Sequence, residues 1–208
     1  MRLVLSATVI WALAVSVSAQ APVKTIDEGV LDKIELHVAA LDKPGDLVVV
    51  MKPFDASSAD LGTGGKGGKE TRQQEALTMQ NEGPRVLAER FVASLQAGPF
   101  KSVQTLKADE AAPTGALVVE GRFLTLDPGS RTKRYFAGFG AGKSSVQVAG
   151  VVKDASGRTL ATFQQRRIGA MGLGGGDSLG KLMSDSRSIG EDIAKFLAKW
   201  GRGENLED

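Results

Sequence analysis

The residues with the most chemical promise lie between Ala137 and Ser144, where Ala137, Gly142, Lys143 and Ser144 satisfy a relaxed phosphate-loop pattern. That chemistry needs backbone N–H groups curled around phosphates, a lysine on the outer phosphates and a hydroxyl on magnesium. It also needs a helix after the loop, so that the helix N-terminus faces the anion. Here the following residues are Ser145-Val146-Gln147-Val148-Ala149-Gly150-Val151-Val152, which alternate like a strand and carry no helical face. Nucleotide binding at Gly142-Lys143-Ser144 is therefore the weakest functional reading. The better one is that these glycines permit tight backbone where one strand gives way to the next.

Three other groups could do chemistry. Glu120 and Asp127 could pair as general acid and base in a hydrolase, since two carboxylates in different environments can divide those roles. His37 is the one histidine, and alone it builds neither a metal site nor a nucleophile–base pair. Arg131, Lys133, Arg134 and Lys143 cluster around Tyr135 and Phe136, a candidate interaction patch for an acidic protein, lipid or glycan. The same charges would also protect a strand edge from unwanted pairing. These residues point to no catalytic, cofactor or metal site, and the chain reads as a non-enzyme.

The elements that must position these groups follow from periodicity. Leu47–Met51 is a short apolar run closed by Pro53, as in a strand buried on both faces. Residues 55–69 are rich in Gly, Ser, Asp and Lys and read as a flexible loop. Residues 70–98 are helical, with an interruption expected at Glu82-Gly83-Pro84. A half-exposed strand over 100–107 and a set of hairpin-linked strands from Leu117 to Gln164 come next, the last turn being Asp154-Ala155-Ser156-Gly157. Leu179, Leu182, Ile189, Ile193, Phe196, Leu197 and Trp200 form the stripe of a second amphipathic helix. Gly180 and Gly190 interrupt its sequence, which suggests close packing of helix on sheet. The predicted fold is α+β: a mixed, largely antiparallel sheet with two amphipathic helices packed on it.

The ends carry an address. Arg2, an uncharged run from Leu3 to Val17 and the small residues Val17-Ser18-Ala19 make the three regions of a signal peptide, cleaved after Ala19. The expected organisation is signal 1–19, extension 20–45, one domain over 46–200 and a polar tail, 201–208, expected to fray. The 208 residues contain no cysteine, so no disulfide framework supports the domain and no cleavage-site cysteine is present to carry a lipid. Of the 26 basic residues Arg2 leaves with the signal, and 25 then face 24 acidic ones. That balance offers no electrostatic case for nucleic acid.

The combination Gly121, Asp127-Pro128-Gly129-Ser130-Arg131, Arg134, the run Gly138 to Ser144, Asp154 and Gly157-Arg158 resembles the bacterial family called domain of unknown function 4410. The resemblance spans Leu47 to Trp200. It implies an α/β domain of the cell envelope, often lipid-anchored, with no established activity or catalytic residues. With the anchoring cysteine missing, the expectation is a soluble periplasmic protein that binds or assembles with another envelope component. Mass spectrometry of the exported protein should find Gln20 at the N-terminus. Recovery of residues 1–19 in a membrane pellet would contradict the cleavage.

Overall fold

The computed structural model describes residues 21–62, 69–128, 144–169 and 178–207. Seven strands and two long helices follow in the order β1 (Lys24–Asp27), β2 (Lys33–Leu36), β3 (Val48–Met51), α1 (Lys69–Leu95), β4 (Ser102–Thr105), β5 (Leu117–Asp127), β6 (Ser145–Lys153), β7 (Thr159–Ile168) and α2 (Ser178–Arg202). The strands form a single sheet ordered β1-β2-β7-β6-β5-β3-β4. β3 pairs in parallel with β4 and β5, and the remaining pairs are antiparallel. This is the mixed, largely antiparallel α+β sheet that the alternation predicts.

Both helices lie on one face. The main core joins Leu87, Phe91 and Leu95 of α1 and Ile189, Ile193 and Phe196 of α2 to Val119, Phe123, Val148, Val152 and Phe163 of the sheet. The opposite face of β3 and β5 carries only a small second cluster, Val50, Val118, Leu106 and Ala116. β3 is thus buried on both faces, as its continuous apolar run requires.

A pair of glycines sets the distance between the layers. Gly121 of β5 and Gly150 of β6 lie opposite each other in register. A β-carbon on Gly150 would stand 2.3 Å from the Phe163 ring, and one on Gly121 would stand 2.6 Å from the Phe54 ring. The space left by the missing side chains seats both rings, whose centroids are 6.4 Å apart. Phe163 then meets Phe196, at 6.1 Å, and Phe196 stacks on Trp200 at 5.7 Å. Aromatic contacts at such distances contribute beyond the area they bury.

Several sequence expectations need correction. The helix is not interrupted at Glu82-Gly83-Pro84, and α1 runs through Pro84. A proline inside a helix costs about 3 kcal/mol. Here tertiary contact outweighs that cost: Gly83 lies against Phe123, Gln80 donates to the Ala56 carbonyl, and Arg85 bridges Glu82 and Glu89 across the site. Gly190 marks a close approach to a helix, not to the sheet, because a β-carbon there would lie 2.3 Å from the Leu87 carbonyl oxygen of α1.

The segment expected to be an extension, 20–45, supplies β1 and β2, of which β1 pairs with β2 and β2 with β7, and it buries Ile26, Leu31, Ile34 and Leu36. Residues 55–62 are not a loose loop. Asp55 and Asp60 exchange backbone hydrogen bonds with β5 beyond the end of β3, and Ala56 and Ala59 are buried. Residues 63–68 of that stretch lie outside the described residues. The tail does not fray as expected: Leu206 is 4% exposed, its carbonyl accepts the Val30 N–H, and Lys24 pairs with Glu207.

The substitution Gly150→Val should cost about 1–3 kcal/mol, the usual penalty for overpacking. Ala149→Val, one residue away on the other face, should cost less than about 0.5 kcal/mol, as for surface changes. Urea unfolding of the two variants checks this. Equal midpoints would show that the glycine pair does not set the layer spacing.

Candidate functional site

Both described helices lie on one side of the sheet, and its other face carries a groove of about 620 Å³. That volume lies within the roughly 300–1,000 Å³ of small-molecule sites. Its floor carries the side chains of Ala149 and Val151 of β6, with the backbone of Gly150 and Gly121 between and beside them. Lys33 and Glu35 of β2 form one bank, and Lys52, Pro53, Asp55 and Ala108 form the other.

Strand register arranges the polar groups in two rows across the sheet. One row runs Glu35, Thr162, Val151, Glu120 and the next runs Lys33, Gln164, Ala149, Arg122. Residues two apart on a strand share a face, so these rows follow directly from the pairing. Lys33 pairs with Glu35 at 2.7 Å, and the Thr162 hydroxyl donates to Glu35 at 2.9 Å. The hydrogen bond from Lys33, and after it the one from Thr162, holds the Glu35 carboxyl below the usual range for glutamate. The same bond to Glu35 raises Lys33. On the other side Lys153 pairs with Glu120. Asp55 is turned back on its own chain: the Ser57 N–H and then the Ser57 hydroxyl hold its carboxyl low, with a smaller contribution from nearby Arg122.

The groove therefore holds the Glu35 and Asp55 carboxyls low, and Glu120 is paired with Lys153. Lys52 and Arg122 are different. Among the described residues neither side chain has a hydrogen-bond or ion-pair partner, and both belong to the groove lining.

Of the residues singled out in the sequence, Glu120 falls in the groove. Asp127 ends β5 seven residues on, which at ~3.3 Å per residue is about 23 Å along the strand. Two carboxylates acting on one glycosidic bond stand within about 10 Å of each other, so Glu120 and Asp127 do not form an acid–base pair. The patch Arg131, Lys133, Arg134, Tyr135, Phe136 and Lys143 lies outside the described residues, as does most of the Gly142-Lys143-Ser144 motif. Ser144 is described: it is buried, its carbonyl accepts the Gly169 N–H, and Ser145 opens strand β6. No helix follows the motif, so the geometry of a phosphate loop is not met. His37 donates its backbone N–H to the Leu160 carbonyl, and its buried ring Nδ1 has no hydrogen-bond partner among the described residues.

No cluster of three metal-ligating side chains occurs among the described residues. None of the described helices is long and apolar enough to cross a membrane. Lys33, Glu35, Lys52 and Arg122 were not singled out by the sequence. Their signal was the alternation Lys33/Glu35 against Ile34/Leu36, and it becomes legible only once β2 is placed beside β7.

The low Glu35 carboxyl has a consequence for stability. A carboxyl whose folded pKa is depressed contributes stability above its unfolded value and loses that contribution as pH falls through the folded value. Stability should hold from neutral pH down to about 4.3, the ordinary glutamate value, and decline below it. Glu35→Gln should make that decline shallower. Identical acid unfolding curves for the two proteins would contradict the pairing.

Residues 48–172 match the model of the family described as Domain of unknown function (DUF4410). Among solved structures, a PelC dodecamer from Paraburkholderia phytofirmans shares 12% identity and a TM-score of 0.41, covering 77% of this chain and 96% of that one. Protein XCC0632 from Xanthomonas campestris, of family DUF330, shares 11% identity and a TM-score of 0.40, covering 88% and 95%. No curated protein matches the chain.

Proposed function

We propose that this chain, which belongs to the family described as Domain of unknown function (DUF4410), is a non-catalytic binding module that works in the periplasm and receives an acidic envelope component on the helix-free face of its sheet. The observation that carries this reading is the charge arrangement of the groove. Its glutamates are taken up by Lys33 and Lys153, while among the described residues the side chains of Lys52 and Arg122 have no hydrogen-bond or ion-pair partner beside the Ala149–Val151 strip. An acidic partner meets attraction there without first having to break an ion pair. A groove wide enough for a ligand, with the Glu35 and Asp55 carboxyls held low, suits binding better than proton transfer, which needs a group poised near the working pH. The tripartite segment ahead of Gln20 supports a role outside the cytoplasm.

Immobilised mature protein should retain material from the acidic fraction of an envelope extract. The variant Val151→Trp, which fills the floor without adding charge, should retain at least about tenfold less, a loss of about 1.4 kcal/mol, with an unchanged thermal midpoint. Equal retention by the two proteins would overturn the reading, and so would chemical conversion of the retained component.

A further inference from the structure

We infer that the groove binds an amphiphile with one anionic head group, a phosphate or carboxylate, anchored between Lys52 and Arg122, with its apolar body lying over Ala149, Gly150 and Val151; this rests on the helix-free face being the binding surface. The parallel pairing of Met51 with Val119 brings the next residue, Lys52, alongside Glu120, and the Lys52 N–H donates to the Val119 carbonyl at 2.9 Å. Arg122 follows two residues later on the same face of β5. Three cations, Lys52, Arg122 and Lys153, thus surround Glu120, and Lys153 is the one that pairs with it.

The nearest other carboxylate, Asp55, accepts the Ser57 N–H at 2.9 Å and faces Arg122 at longer range. Among the described residues of the groove lining, the cations without an ion-pair partner, Lys52 and Arg122, both stand at this bank. The far bank is neutral, because Lys33 and Glu35 satisfy each other and Thr162 takes the second Glu35 oxygen. Between the banks Ala149 and Val151 form an apolar strip bordered by Thr162 and Gln164, and Pro53 and Ala108 extend the apolar surface upward beside Lys52. The site is therefore positive at one end with an apolar strip beside it. Three strand spacings of ~4.8 Å separate Arg122 from Lys33, so about 14 Å of sheet is open to the ligand's body. A small inorganic anion would use only the bank, and a neutral amphiphile only the floor.

The charge logic makes an unusual forecast. Glu120 repels the ligand's head group, and Lys153 screens that repulsion without touching the ligand. Titration calorimetry with monomeric dodecyl phosphate should show binding that weakens with salt. Inorganic phosphate and dodecyl maltoside should each bind at least about tenfold more weakly, the scale of one lost ion contact. Lys52→Gln and Arg122→Gln should each weaken dodecyl phosphate, Lys153→Gln should weaken it too, and Glu120→Gln should tighten it. A purely structural role for these residues would not move affinity in opposite directions.

If dodecyl maltoside binds as tightly as the phosphate, the anion anchor is wrong. The face itself still stands in that case if Val151→Trp abolishes the maltoside binding. Binding to phosphatidylglycerol vesicles with none to monomeric dodecyl phosphate would overturn the inference in favour of a membrane surface. Absence of binding to all three soluble probes would overturn it as well, leaving the retention experiment to judge the face separately.

Discussion

Everything in this domain depends on how closely two aromatic rings can approach the sheet. Phe54 and Phe163 occupy the space that side chains at Gly121 and Gly150 would fill. Through Phe163 the contact passes to Phe196 and Trp200, and so fixes the height and rotation of α2. Gly190 then lets α2 approach the backbone of α1 at Leu87. Interiors pack at near-crystalline density, so an error of one methyl group at the glycine pair would pass along this chain of contacts. A polar brace completes the layer: Gln165 of β7 accepts the Asp32 N–H and donates to Asp192 of α2, which Arg167 also grips.

Placing both helices on one side decides what the other side can be. A sheet face without a covering layer must be compatible with water, and alternation puts Lys33, Glu35, Glu120, Arg122, Thr162 and Gln164 there. The ion pairs on this face are partly exposed, Lys153 and Glu120 each by 33%, and exposed pairs of this kind stabilise a fold by about 0–1 kcal/mol. Their importance lies in where they leave charge. They neutralise one bank of the groove and the centre of the other, and among the described residues they leave Lys52 and Arg122 without an ion-pair partner.

The readable parts of the sequence were those in which one segment carries its own pattern. The strand run Leu117–Leu126, the turn at Asp154–Gly157 and the stripe Leu182, Ile189, Ile193, Phe196 were legible because their periods extend over many residues. β1 and β2 were not, because four residues hold too few periods to separate a strand from a loop. Leu206 is one apolar residue in a polar tail, and nothing local reveals that its place is under Val30. Pro84 misled for a related reason: local rules charge it as a break, whereas Gly83, Gln80 and Arg85 hold the helix together through contacts with distant or flanking groups. Of the candidate site, Glu120 was legible and its partners were not, since the rows that bring Lys52, Lys153 and Arg122 around it exist only across strands.

The central claim is that the helix-free face is the working surface of this domain. Methyl NMR can test it, because β6 alternates between the two faces. The methyl groups of Ala149 and Val151 lie in the groove, and those of Val148 and Val152 lie in the core against the helices. On addition of the acidic envelope fraction, the account predicts shifts at Ala149 and Val151 with Val148 and Val152 little changed. Shifts confined to the outer surfaces of α1 and α2, with Ala149 and Val151 unmoved, would contradict it.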